Sequence, residues 1–514
     1  MDFLEKLLDY YGFSKQDYEK RVLAPSFSSL PLIDAKEETQ KAIQALTDAK
    51  SQGEKVLVYG DYDTDGIMSA SIMVRALREF GLTAEGYLPS RYKDGYGLTA
   101  ENVDKIADKG FNLIFTTDNG VTAYEALDEA KKRGLKVIIL DHHEFGEKAP
   151  EALAVLHPTT LAYGDTPISA GYLSFIFSCA LLQKEDDYLL TLGAMSTLSD
   201  LMPLTSYNRE IVRLALEAIQ KNNYPEIGLL SDKRPIDETI LQMEIIPKLN
   251  AVGRLLEGYE TNRLLKYFSV VDPTGKEAVA SWLNSVNEER KEKTKAAELS
   301  LSFDPNEEAL VVLADIPEGL NGLLANRLLQ EYEKPVAVFS PSKKDPAVLV
   351  GSIRSKEGFN VLKALEGTKT PLTKGGHAFA GGVSIKVEDF PTFKKDFLFA
   401  ALKHKLTPQK EKLIPLTKEE ATLENERILR SFGPFGQEWK APAFELDDLD
   451  CASFTYAANG KYLSTPFGKE ARLFSFSLGE KAFSGLTSVS LKVHFQKNVY
   501  RGRVSLDLLA ESLD

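Results

Sequence analysis

Cysteine is nearly missing from this chain. Its two copies, Cys179 and Cys451, stand far apart without metal-ligand spacing and read as buried free thiols of a reducing compartment, not as a disulfide. Long apolar runs are missing too: none approaches the roughly 20 residues that cross a bilayer. The opening MDFLEKLLDYYGF has neither the basic start nor the apolar core of a secretory signal, so the expected location is cytoplasmic. No tract is biased or repetitive, and the phosphate loop G-x-x-x-x-G-K-[ST] does not occur, which leaves a P-loop ATPase unsupported. An excess of basic residues is also lacking. The net charge of −13 argues against a non-specific nucleic-acid coat, because phosphate neutralisation needs a basic surface. A nuclease is not excluded: a metal centre requires carboxylates, and a local groove can be positive on an acidic protein.

At 514 residues the chain exceeds one hydrophobic core and is expected to form three or four domains. A helical arm (1–45) precedes an α/β region (46–270). There VLVY (56–59), NLIFTTD (112–118) and KVIILD (136–141) alternate with helical patterns, as in a doubly wound parallel sheet. A polar helix is expected over 271–303, with Asp272-Pro273 at its start and Asp304-Pro305 at its end. Val279, Trp282, Leu283 and Val286 form its apolar stripe, and it reads as a bridge between domains. A smaller α/β pattern (304–405) follows, and then a linker and an all-β region (406–514) with short alternating segments such as ARLFSFSL.

The aspartates fall at telling places. Asp61, Asp63 and Asp65 follow the first strand, while Asp118 and Asp141 end the next two. Sites in open parallel sheets lie beyond the carboxyl ends of the strands. The pattern therefore converges five carboxylates and the pair His142-His143 on one crevice. Such crowding is unfavourable unless cations neutralise it. Mixed Asp and His donors suit Mn²⁺ or Mg²⁺, and two such ions about 4 Å apart would activate water for phosphoester cleavage. Taken singly, each element has a plainer reading: an Asx turn or helix cap for D-x-D, a solvated turn for the histidines.

These residues resemble a known family, the RecJ-type exonucleases of the DHH superfamily. VLVYGDYDTDGIMSA, TTDNGV, DHHEFGE and AMSTLSDLMPLTSYNR resemble its motifs I to IV in order. The likeness continues in PSRYKDGYGL, PKLNAVGRL, GLNGLLANRL, GSIRS and KGGHAFAGG, the last being the signature of the DHHA1 domain. SFGPFGQEWKAPAF resembles the entry to the family's OB-fold domain. The resemblance implies Asp63, Asp65, Asp118, His142 and Asp200 as metal ligands, with Asp118 bridging and Asp61 a ligand or a supporting residue. It implies that Asp141 orients the adjacent histidine and that His143 faces the scissile phosphate, with water, not a side chain, as nucleophile. Arg91, Arg254, Gly375, Gly376 and His377 would hold substrate phosphates, and Ser352 and Arg354 would line the DNA path.

The implied activity is 5′→3′ degradation of single-stranded DNA in repair and recombination. It would use two divalent ions, with Mn²⁺ preferred and Mg²⁺ possible. A monomer is expected, with a single-strand-binding protein or a helicase as candidate partner. In the β domain, Trp439, Tyr456, Tyr462 and Tyr500, interspersed with Lys440, Lys461, Lys492 and Arg501, could stack bases or fill the core. Two other readings share the fold: a DHH phosphodiesterase for small nucleotides, and a scaffold without catalysis.

Overall fold

Buried β-branched runs alternating with amphipathic helices give this protein its central sheet. The computed structural model describes residues 1–31, 36–161, 163, 166–270, 274–370, 373–403, 412–500 and 503–512, apart from the side chains at 499, 500, 503 and 512. The chain divides into two compact units: 31–200 with 215–408, and 1–30 with 201–214 and 409–514.

In the larger unit, strands β1 (Lys55–Tyr59), β2 (Thr83–Tyr87), β3 (Leu113–Thr117), β4 (Lys136–Leu140) and β5 (Ala154–Leu156) form a sheet of order β2-β1-β3-β4-β5. Every pairing is parallel. One face packs Leu57, Tyr59, Ile114 and Ile139 against Val103, Ala126 and Leu127 of flanking helices. Helix α1 (Thr64–Phe80) contacts β1 and β3, and packs on α2 (Ala170–Leu182) and α3 (Asp187–Ser199). Helices α2 and α3 are apolar nearly all round and almost wholly buried, as a helix inside a large core must be. Ser169 and Asp186 cap their N-termini. A π-helical turn, Leu241–Ile245, leads into α4 (Ile246–Leu255).

The polar helix α5 runs Lys276–Ser300, shorter at both ends than its sequence suggests. Gly275, at φ +80°, stands before its first turn, while Asp272-Pro273 lie outside the described residues. Leu283, Val286, Asn287 and Thr294 are buried along one stripe, so the helix is more than a solvated spacer. Beyond it a mixed sheet of order β6-β7-β8-β10-β9 comprises β6 (Leu310–Leu313), β7 (Val336–Pro341), β8 (Val348–Arg354), β9 (Thr373–Gly376) and β10 (Ala380–Lys386). Helix α6 (Asn321–Tyr332) covers β7 and β8.

The smaller unit holds a seven-stranded sheet of order β11-β12-β16-β17-β15-β14-β13. Its strands are β11 (Ile414–Pro415), β12 (Phe444–Asp450), β13 (Tyr456–Ala457), β14 (Tyr462–Phe467), β15 (Ala471–Ser475), β16 (Ser488–Tyr500) and β17 (Arg503–Ser512). The N-terminal helices belong to this unit: Phe3, Leu7 and Leu8 are buried in one core with Phe444, Leu446, Val493 and Leu508. The first thirty residues are therefore not a free arm.

Trp439 is occupied. Its ring stacks on Tyr11 at 4.4 Å, Arg21 lies 3.8 Å over it, and its indole N–H donates to Phe432 O. Tyr456 packs against the core. Tyr462 stays half-exposed beside Phe476, and Arg501 and the Tyr500 side chain lie outside the described residues.

Candidate metal centre

Three strands deliver their following residues to one edge of the parallel sheet. After β1 the chain turns at Gly60 and Asp61, and Asp63 caps α1 by accepting from Gly66 N at 3.1 Å. The cap is real, and it engages one carboxylate oxygen only. A Cβ on Gly66 would lie 2.5–2.6 Å from the Asp61 backbone, so glycine alone lets the loop fold onto the helix. Asp118 follows β3 at φ +63°, and Asp141 follows β4. Asp200 is the C-cap of α3.

Asp65 is anchored within its own unit. Its carboxylate accepts from Gly171 N at 2.8 Å and Ala170 N at 3.0 Å, at the N-terminus of α2, and from Ser196 Oγ at 2.6 Å. On the opposite side of the loop, Asn250 Oδ1 of α4 accepts from Thr64 N and Thr64 Oγ1, each at 2.9 Å.

His142 stands at the centre. Its Nε2 is 3.3 Å from Asp118 and 3.5 Å from both Asp65 and Asp200, yet it is buried without a hydrogen bond. Asp61 Oδ1 is likewise buried and unpartnered. Three donor sets have ligand atoms within 4.8 Å of one another: Asp118–His142–His143, Asp65–His142–Asp200 and Asp61–Asp63–Asp118. Asp118 and His142 are each shared by two sets.

Burial first, and then the Asp63 charge, raises Asp61 well above the usual carboxylate range; Asp63, though exposed at the crevice mouth, is also raised, by poor solvation in the crowded crevice and then by the Asp65 charge. Asp118 is raised by burial and then by Asp65, Asp63, Asp61 and Asp200. Asp200 is pushed to about 8 by burial and by Asp65 and Asp63. Burial lowers His142, which favours the neutral imidazole that binds metals. The cluster is thus short of positive charge, and its hard oxygen and imidazole donors fit divalent cations.

Asp141 holds a different ring from the one expected. Its Oδ1 accepts from His142 N at 2.8 Å, His143 N at 3.2 Å and the His143 ring Nδ1 at 2.8 Å, while Oδ2 takes Val121 N at 3.1 Å. Burial would lower His143, but this bond and the charges of Asp141, Asp200 and Asp65 lift it to about 9. Two further neighbours of this ring were not singled out from the sequence, although Tyr96 lies within PSRYKDGYGL. Tyr96, 53% exposed, sets its hydroxyl 3.2 Å from His143 Nε2. His157 Nε2 donates to His143 O at 3.0 Å and so braces the turn.

The expected phosphate residues sit on other elements of the same unit. Arg91 lies 4.9 Å over the Tyr62 ring, and Arg254 is on α4, where Tyr92 Oη donates to its carbonyl at 2.6 Å. Ser352 and Arg354 share one face of β8. Register places Ser352 opposite Gly382, and Gly382 opposite Gly375 on the edge strand β9. A Cβ on either glycine would meet nothing, so this row is an open backbone surface. Gly376, at φ +133°, and exposed His377 turn the chain at its end.

Residues 55–193 match the DHH family N-terminal domain, 307–403 the DHHA1 domain and 414–512 the RecJ OB domain. A single-stranded-DNA-specific exonuclease RecJ of Escherichia coli strain K12 is 30% identical over 523 residues, covering 92% of this chain and 90% of that one. The chain belongs to the RecJ family. A Bacillus subtilis RecJ is 32% identical over 418 residues, but this chain spans only 52% of its length. The crystal structure of a Thermus thermophilus RecJ in complex with Mn²⁺ superposes with a TM-score of 0.84 at 24% identity, covering all of this chain and 75% of that one, and shows the common fold. A second RecJ structure, bound to manganese, gives a TM-score of 0.63 at 27% identity over 73% of this chain and 97% of that one. Among the described residues, no helix is long and apolar enough to cross a membrane.

Proposed function

We propose that this protein is a metal-dependent exonuclease that hydrolyses phosphodiester bonds of single-stranded DNA from the 5′ end, in repair and recombination. One observation carries the reading: a buried imidazole nitrogen without a hydrogen bond, aimed at three carboxylates. Family membership and the manganese-bound relative support it.

Asp61, Asp63, Asp65, Asp118, His142 and Asp200 would hold two divalent ions, Mn²⁺ or Mg²⁺. Bound there, such ions neutralise the carboxylates, acidify water and offset charge on a phosphodiester. Asp141 fixes the His143 ring through Nδ1, and His143 would then present its Nε2 to a non-bridging phosphate oxygen. Arg91 and Arg254 bind the phosphate nearest the carboxylates, for both act electrostatically on Asp63. Ser352, Arg354, Gly375, Gly376 and His377 carry the strand across the second sheet, where the glycines let it approach the backbone. In the smaller unit, among the described side chains, Tyr462 with Phe476, 73% exposed, is a surface for stacking bases. A monomer in the cytoplasm, meeting a single-strand-binding protein or a helicase, completes the reading.

End-labelled single strands, duplexes and dinucleotides incubated with Mn²⁺ and with EDTA test it. Release of nucleotides from the 5′ end of single strands, in Mn²⁺ only, is expected. Cleavage of dinucleotides alone would point to a small-nucleotide phosphodiesterase, and binding without hydrolysis to a scaffold.

A further inference from the structure

Four arginines of the larger unit, Arg91, Arg254, Arg290 and Arg354, are half-buried, and among the described residues none forms an ion pair. Arg254 is the focus: burial first, then Arg91, oppose its charge, Asp63 supports it, and Arg290 and Arg354 oppose it further. A chain with net charge −13 does not lack carboxylates to pair with them. Like charges held together out of water are unfavourable without an anion, and an extended cluster calls for a polyanion.

Three of these arginines already belong to the phosphate path proposed above. Arg290 does not. It stands on α5, the helix whose polar sequence suggests a mere bridge, where α5 packs along α4. Asn287, 3% exposed, accepts from Arg290 Nε at 3.0 Å. The buried amide thus aims the guanidinium, and among the described residues its two terminal nitrogens have no hydrogen-bond partner, the arrangement that suits a phosphate. Arg254 stands on α4, which packs along α5, and the Arg290 charge acts on it, so the two arginines belong to one basic surface.

We propose that Arg290 is a further phosphate contact for the single strand, beyond Arg254, and that the connecting helix forms part of the DNA path. The inference rests on the single-stranded-DNA reading. Its test is equilibrium binding of a fluorescent single strand of about 20 nucleotides to the full chain in EDTA, over a series of salt concentrations. Arg290→Ala should weaken binding about tenfold and flatten the slope of log Kd against log salt by about 0.7, the share of one single-strand phosphate. Arg290→Lys should keep the slope. Arg290→Gln, which retains a donor for Asn287 without the charge, should match Arg290→Ala and guards against a folding defect. An unchanged slope in the neutral variants overturns the proposal, whether or not binding weakens, because charge is then not the cause. Failure of wild type to bind the strand overturns it too. Wild type that binds steeply but never hydrolyses DNA in Mn²⁺ would sink the nuclease reading alone.

Discussion

His142 Nε2 lies 3.3 Å from the Asp118 carboxylate and makes no hydrogen bond with it. Two buried groups of complementary chemistry this close, left unbonded, share a point in space that a cation can fill. Asp118 also faces Asp61 and Asp63, which places it between two donor sets.

Asp118→Asn should therefore abolish hydrolysis, by a thousandfold or more in rate, while leaving the fold intact. The metal-free variant should melt no lower than wild type, because the change removes one of several crowded carboxylates. Near-normal turnover in Mn²⁺ would remove Asp118 from the centre.

Metal binding should stabilise the protein more strongly as pH rises. Asp200, raised to about 8, and Asp61, Asp63 and Asp118, also raised, hold protons that the unfolded chain releases near pH 4. The metal-free fold therefore loses stability as pH climbs from about 4 through about 8, and a cation that displaces those protons reverses the loss. Melting curves with and without saturating Mn²⁺ should separate further at about pH 8.5 than at about pH 6. An equal shift at both would show that binding releases no protons.

Gly66→Ala inverts an ordinary rule. Alanine in a helix usually gains about 1 kcal/mol over glycine. Here its Cβ would strike the Asp61 backbone at 2.5–2.6 Å, so the 61–65 loop must move. A lower melting temperature and weaker Mn²⁺ binding by calorimetry are expected. A more stable variant with unchanged affinity would show that the loop adapts.

Arg254→Ala should weaken single-strand binding by about 1.5–3 kcal/mol, the value of a hydrogen bond to a charged group, with bound manganese unchanged. Elemental analysis decides: loss of manganese would make Arg254 part of the metal centre.

Leu7→Ala should cost about 2–5 kcal/mol, although it lies near the start of the chain. Leu7 is fully buried in the core of the C-terminal sheet. Limited proteolysis should release fragments from the region beyond residue 409 first. Unaltered resistance there would mean that the N-terminal helices do not hold that core.

Much of this was legible in the chain itself. Alternating buried strands and helices are a local pattern, and a parallel sheet converts strand ends into one edge. The convergence of Asp61, Asp63, Asp118 and Asp141 therefore follows from the strand pattern alone. Which ring Asp141 would hold was not legible, since His142 and His143 are neighbours and only the turn's geometry assigns Nδ1 of the second to it. The contacts of Asn250, Ser196 and Gly171 were not legible for a related reason: each reaches the metal loop from far along the chain. Trp439 shows the limit most plainly. Alternation said it could be core or surface, and Tyr11 and Arg21 settled it.

The fold class and the residue types that gather at the sheet edge could be read along the chain, because periodicity and strand-end chemistry are written within a few residues. Which carboxylates are already satisfied, which imidazole is left open and which arginines form no ion pair among the described residues emerge only from the packing. Those are questions of compensation between distant groups, and burial makes each answer depend on every neighbour.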